Sequence, residues 1–198
     1  MSKKDVYLYV HDGFADWEPA HALAEVRRTG GYAVKTVSLD GRPVVSMGGL
    51  RVMPDLAIEQ VDPESVAIFI LPGGESWVEQ PVPEPLAELL KTLNEKNVPL
   101  AAICAATVAI ARLGLLGGRR HTSNALEFLQ GVVPEYNEAE NYVDEVSVRD
   151  RGLITASGLG DVEFAADIFA ELNVMDESTR AGWRSAFRTA QIPPGFFG

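Results

Sequence analysis

At 198 residues, 46% hydrophobic and 23% charged, the chain has the composition of an ordinary globular protein with length enough for a full core, which excludes disordered and fibrous classes. A formal net charge of -11 argues against a general nucleic-acid surface or an anionic membrane as partner. No apolar run approaches the roughly 18–20 residues of a membrane span, the first residues enter a strand with no secretory signal pattern, and a lone cysteine permits no internal disulfide, so a cytoplasmic setting is expected.

Taken in order, the chain alternates strand and helix patterns. Residues 5–11 (DVYLYVH) are β-rich and end at the turn Asp12, Gly13; a helix is expected over 16–29, stopped by Gly30 and Gly31, with Asp16 read first as its N-cap. Residues 33–39 predict a second strand, and 43–54 a small hairpin turning at Gly48 and Gly49. Residues 66–71 (VAIFIL) predict a strand buried on both faces that breaks at Pro72, Gly73 and Gly74. A helix over 85–96 leads to an apolar strand at 98–103, then Cys104, then an alanine-rich helix over 105–113 closed by Gly114. A short strand at 120–123 precedes a helix that starts near Asn124 or Ala125, with Ser123 or Asn124 as its N-cap. Residues 143–149 and 153–156, joined by Asp150, Arg151 and Gly152, read as a hairpin, and helices over 161–172 and 177–188 complete the pattern.

This βαβ alternation has no internal repeat and no long linker. It predicts one domain over residues 1–198 of the α/β class: a three-layer α/β/α sandwich, flavodoxin-like, with a mainly parallel sheet. Sites in such sheets form at the carboxyl ends of strands, and three strand ends stand out here: DGFADWE, PGGESW and Cys104 itself.

Cys104 has the mechanics of a nucleophile elbow, a side chain at a sharp strand-to-helix turn. The helix N-terminus beneath it favours an anion, so the thiol is expected to ionise more easily than an ordinary cysteine. On local pattern alone a lone cysteine after an apolar strand is more often inert core. With no second thiol in the chain, a sulfenic acid formed on Cys104 would meet an external thiol or proceed to sulfinate. There is no P-loop, no GxGxxG after the first strand and no Cys/His cluster of metal-ligand spacing, so no cofactor and no metal are expected. Trp77 reads equally as an apolar wall over Cys104 or as plain packing, and the acidic run at 134–145 as a solvated loop. The tail at 193–198 carries Phe196 and Phe197, which favour an oligomer contact, and a homodimer is expected.

Five segments together carry a likeness: DGFADWE (12–18), LPGG (71–74), AAICAAT (101–107), LGLLGGRRHTSN (113–124) and LITASG followed by EFAADI (153–168). In their order and spacing, over residues 5–172, the chain resembles the ThiJ/PfpI superfamily, related to class I glutamine amidotransferase domains. The resemblance implies that Cys104 is the reactive elbow cysteine and that Glu18 is the acid meeting its sulfur from the first helix. It also implies that the backbone N–H groups of Gly74 and Ala105 form an oxyanion hole. A carboxyl beside a thiolate is a like-charge pair, so Glu18 should titrate high, stay protonated, and donate to the sulfur or to a sulfinate made from it.

Two departures from the family pattern matter. Protease-like members carry a histidine directly after the nucleophile, where this chain has Ala105. Other members place one at the end of the strand after the elbow helix, where this chain has Asn124, which cannot accept a proton at neutral pH. His121 lies three residues earlier, an odd offset that points to the opposite face of a strand. His11 ends the first strand and His21 lies on the first helix; all three histidines read as structural first, with His121 and His11 kept as candidates to serve the sulfur and Asp16 as a competing acid. The function this implies is a cysteine-nucleophile enzyme on small carbonyl or amide substrates in stress defence, of hydrolase, glyoxalase or amidotransferase-like chemistry. The alternative is a non-enzymatic redox or stress-response protein whose Cys104 is oxidised to sulfenate or sulfinate. In either case the partner is a small-molecule substrate or oxidant.

Overall fold

The computed structural model describes residues 4–191, so the aromatic tail expected to make an oligomer contact lies outside the described residues. In chain order the strands are β1 (Asp5–Tyr9), β2 (Val34–Ser38), the short β3 (Val44–Val45), β4 (Arg51–Val52) and β5 (Leu56–Ala57), then β6 (Val66–Leu71), β7 (Leu100–Ile103), β8 (Ser147–Asp150) and β9 (Leu153–Ala156). The α-helices are α1 (Ala20–Arg28), α2 (Ser76–Glu79), α3 (Glu84–Glu95), α4 (Ala106–Arg112), α5 (Leu126–Val132), α6 (Asp161–Leu172) and α7 (Glu177–Thr189). Seven strands form one sheet in the order β5-β2-β1-β6-β7-β9-β8, parallel except for β8, which runs antiparallel to β9 at the edge. The result is the flavodoxin-like α/β sandwich that the alternation predicts.

The central strands are continuous apolar runs because both their faces are covered. Side chains alternate across a strand. Tyr7, Phe69, Leu71, Leu100 and Ala102 therefore pack against Leu86, Leu90 and Leu93 of α3 and Ala109 and Ile110 of α4. Their neighbours Val6, Leu8, Ile68, Ile70 and Ala101 pack on the opposite side against Val26 of α1 and Phe164 and Phe169 of α6. Each such Leu, Ile or Phe contributes about 1.5–3 kcal/mol by leaving water, which is why the sheet centre, and not the turns, sets the register. Cys104, at the end of β7, touches both clusters.

The hairpin expected at 43–54 is present as β3 and β4, pairing Val44 with Val52 and Val45 with Arg51. It is tied to the loop after β1: Val45 N–H donates to Asp12 Oδ1 at 2.8 Å, Gly48 N–H donates to Asp16 Oδ2 at 3.1 Å, and the Ser46 hydroxyl donates to the same Asp16 oxygen. Asp16 is therefore not the N-cap of the first helix. That helix begins only at Ala20, behind Pro19 in the N-cap position, because a residue preceding proline is kept out of the helical region.

Two further expectations fail locally. Residues 120–123 form no strand; His121 makes a single parallel bridge to Tyr142, and the Thr122 N–H donates to Thr155 Oγ1 at 2.9 Å instead of to a sheet partner. The next helix starts at Leu126, with Ala125 at its N-cap and no side-chain cap bond. Ser123 and Asn124 are drawn away to other partners, Thr107 Oγ1 for the first and the elbow for the second.

Candidate active site

Cys104 sits on the turn from β7 into α4 with φ of 59°, the left-handed region that a non-glycine residue occupies only when its surroundings impose it. Its N–H still donates to Ala156 O at 2.8 Å, continuing the ladder with β9, while its carbonyl accepts from Thr107 N–H at 3.2 Å and Thr107 Oγ1 at 2.6 Å. Strand pairing on one side and the first helical turn on the other thus hold the strained residue in place, and the side chain is half-buried at the sheet edge.

Glu18 reaches the sulfur from the turn before Pro19 and not from the helix itself. It is fully buried, with Oε2 accepting from Gly73 N–H at 2.5 Å and Oε1 lacking a partner of hydrogen-bonding geometry. Burial pushes its carboxyl up from 4.5 to about 7, the Gly73 N–H and the contact with Cys104 pull it down, and the charge of Asp161 adds to the rise. The high value matches expectation, but its main cause is desolvation and not repulsion by a thiolate.

The thiol itself departs from expectation. Burial pushes Cys104 above its ordinary value, the Asn124 amide pulls it back, Glu18 pushes it further up, and the Ala105 N–H pulls down. The loss of hydration outweighs the pull of a helix only as long as α4. Cys104 is therefore a thiol that needs a proton acceptor, not a thiolate by default.

Asn124 lies beside the sulfur. Its Nδ2 donates to Cys104 Sγ at 3.4 Å and its Oδ1 accepts from Gly158 N–H at 2.9 Å, which fixes which end of the amide faces the elbow. Gly158 had no role assigned from the sequence, yet a Cβ there would stand 3.0 Å from Cys104 Sγ, so the absence of a side chain lets this loop close on the sulfur. Gly73 is tighter still, since a Cβ would meet both Cys104 Cβ and Glu18 Oε2 at 2.8 Å. The N–H of Ala105 is directed at the sulfur, and the N–H of Gly74 meets no protein acceptor among the described residues.

None of the three histidines serves the sulfur. His121 is fully buried, with Nδ1–H donating to Arg119 O at 2.8 Å and Nε2 accepting from Tyr136 OH at 2.8 Å. Its ring stands edge-on to Tyr136 and Tyr142. His21 lies 3.6 Å from Asp161 and packs on Trp183 and Phe187. His11 sits behind Gly74, its Nδ1 3.0 Å from Asp12 O and 3.2 Å from Ser76 Oγ, and burial holds its pKa down. Replacing His121 by Phe should lower stability by about 1–3 kcal/mol, because the Arg119 carbonyl and Tyr136 hydroxyl lose their partner. The iodoacetamide labelling rate of Cys104 should stay unchanged; a change in that rate would reconnect His121 to the site.

A hollow of about 180 Å³ opens over Cys104, walled by Trp17, Met47, Val78 and Phe128. Trp77 is not part of this wall. Its indole turns away, donating to Pro72 O at 2.8 Å and stacking beside Tyr9 and His11. Trp17 and Met47 carried no signal of their own, since only the tie between the β1 loop and the hairpin brings Met47 to the sulfur.

The DJ-1/PfpI family model matches residues 4–171. The chain belongs to the DJ-1/PfpI family. It is 34% identical to the uncharacterized protease YoaZ of Bacillus subtilis, over all of this chain and 96% of that protein. It is 29% identical to the deglycase TK1284 of Thermococcus kodakarensis, over 70% of this chain and 84% of the relative. The crystal structure of a thiJ/pfpI family protein from Bacillus anthracis superposes with a TM-score of 0.90 at 33% identity, covering 100% of this chain and 95% of that one. In this DJ-1/PfpI protein Cys104 has the Glu18 carboxyl and the Asn124 amide beside its sulfur.

Proposed function

We propose that this protein is a cysteine-dependent enzyme acting on small carbonyl compounds, with Cys104 as nucleophile and Glu18 as the group that moves its proton. The observation that carries this reading is the buried Glu18 carboxyl against the sulfur, titrating at about 7, so that near neutral pH it can both take and return a proton. Ionised Glu18 accepts the thiol proton as sulfur adds to a carbonyl carbon, and the new C–S bond leaves an alkoxide directed at the N–H groups of Gly74 and Ala105. Glu18 then returns the proton to that oxygen, giving a hemithioacetal. With a second carbonyl adjacent, as in a 2-oxoaldehyde, the same carboxyl can take the proton from the adduct carbon and deliver it to the neighbouring carbon while the hydroxyl proton passes to the neighbouring oxygen through an enediol, and water hydrolyses the resulting thioester to a 2-hydroxy acid and the free Cys104 thiol.

The size of the hollow supports a small molecule over a peptide chain, since about 180 Å³ lies below the usual range for extended ligands. The test is consumption of methylglyoxal and of a panel of activated amides by wild type, Cys104→Ser and Glu18→Gln. Turnover lost in both variants and kept in His121→Ala is the expected result. A second reading rests on the donors around the sulfur: the Asn124 amide, the Ala105 N–H and a protonated Glu18 would also hold a sulfinate. No turnover, together with a stable +32 Da species on Cys104 after peroxide, would replace the first reading by this redox role. In either role we infer a cytoplasmic homodimer. The aromatic pair Phe196 and Phe197 at the end of the sequence supports a contact between copies, and light scattering tests it.

A further inference from the structure

A second hollow opens at the same edge of the sheet, on the far side of Gly74 from Cys104. Its volume is about 360 Å³, and it lies over the ends of β1 and β2, closed by Ser76 and Trp77 of α2. The chain leaves β1 for β2 on one side while β6 adds on the other, so the connections part here, which is where open α/β sheets hold ligands. The Cys104 chemistry uses none of its lining.

The lining has a marked chemical bias. Tyr9 is 3% exposed and lines the hollow, and its hydroxyl, which meets no protein partner among the described residues, is the part of the residue left open to a ligand. The Asp40 carboxylate bears on that hydroxyl, raising the Tyr9 pKa to about 12 together with burial, so the phenol stays neutral. Asp12 stands on the same wall, and no lysine or arginine lines the hollow. Arg42 pairs with Asp40 Oδ2 at 3.3 Å from a side chain that is 84% exposed, a weak and screened contact, and its backbone N–H donates to Asp40 Oδ1 at 3.0 Å. The Tyr9 and Trp77 rings stand 5.8 Å apart, with the neutral imidazole of His11 beside Trp77. Carboxylates, aromatic faces and an idle hydroxyl in one concavity are the groups that recognise an organic cation.

We propose that this hollow is a second ligand site, separate from Cys104, that takes a small organic ammonium ion with an apolar or aromatic body. Asp40 receives the charge, the Tyr9 oxygen accepts an ammonium N–H, and Trp77 and Tyr9 cover the body.

Isothermal titration calorimetry with phenethylamine tests this on protein carbamidomethylated at Cys104, so that the first hollow is blocked. The expected result is binding of one phenethylamine per chain, with 3-phenylpropionate weaker by about tenfold or more. Asp40→Asn should weaken phenethylamine by about tenfold and Tyr9→Phe by about threefold, with melting temperatures unchanged because neither lost group bonds to the core. The proposal is overturned if phenethylamine gives no binding heat up to about 10 mM. Equal affinity for the amine and the carboxylate overturns it too, as does unchanged affinity in both variants.

Discussion

Glu18→Gln should lower turnover of a small carbonyl substrate by about 10²–10⁴-fold while making Cys104 more reactive toward iodoacetamide near neutral pH. The two effects diverge because the carboxyl does two things. It carries the proton during catalysis, which a carboxamide cannot do. It also holds the thiol pKa up through its charge, which the carboxamide removes. The labelling profile against pH should therefore move to lower pH as catalysis disappears. Turnover retained in Glu18→Gln would sink the proton-carrier role, and labelling that does not quicken would show that Glu18 is not what holds the thiol pKa up.

The same substitution has a thermodynamic signature with a definite sign. Folded Glu18 titrates at about 7, against 4.5 for the ordinary group. Between those values the folded state keeps a proton that the unfolded chain has released, so wild-type stability falls as pH rises from 4.5 to 7 and is level above. A gap of this size is worth on the order of 3 kcal/mol. Glu18→Gln has no such penalty, so it should be more stable than wild type at pH 8 and lose that advantage as pH falls toward 4.5. Denaturant melts at the two pH values measure the difference, and an equal gap at both would show that the carboxyl does not titrate as argued.

Gly73→Ala is the second change of large expected effect. Its Cβ would stand 2.8 Å from Cys104 Cβ and 2.8 Å from Glu18 Oε2, and neither neighbour is free to move. Cys104 is held by the β9 ladder and by Thr107, and Glu18 is fully buried. Overpacking of this kind costs about 1–3 kcal/mol, and for a chain of this size each kcal/mol lowers the melting temperature by about 2–4 °C. Gly131→Ala in α5 is the control, because a Cβ there meets nothing and alanine favours the helix. Melting at the wild-type temperature in Gly73→Ala, with an unshifted labelling profile, would mean that the elbow is looser than its contacts imply.

The legible parts of this molecule were those with a local signature. The apolar run at 66–71 became β6 with the same bounds, and the pattern at 161–172 became α6 with the same bounds, since burial on both faces of a strand and helical periodicity are written into neighbouring residues. The 120–123 segment failed for the opposite reason. Its short β-like pattern was overridden by Tyr142 and Thr155, partners more than 20 residues distant, which no local window contains. Trp77 was left open for a similar reason: adjacency to Gly74 in sequence allowed it a place near the elbow, but the turn of α2 aims Val78 at Cys104 and Trp77 at the second hollow.

The sequence by itself determined the layered fold, the position of the elbow, and the candidates Cys104, Glu18, Gly74, Ala105 and Asn124, because strand runs, glycine breaks and family-like spacing are linear features. Only the tertiary structure decided how those groups behave. Pro19 moved Glu18 off the helix, Tyr136 and Arg119 occupied both nitrogens of His121, and Gly158 closed the loop that orients Asn124. The ionisation of Cys104 turned from easy to difficult for one reason: desolvation belongs to the assembled core, and the water excluded from a buried sulfur outweighs the dipole of the short helix that follows it.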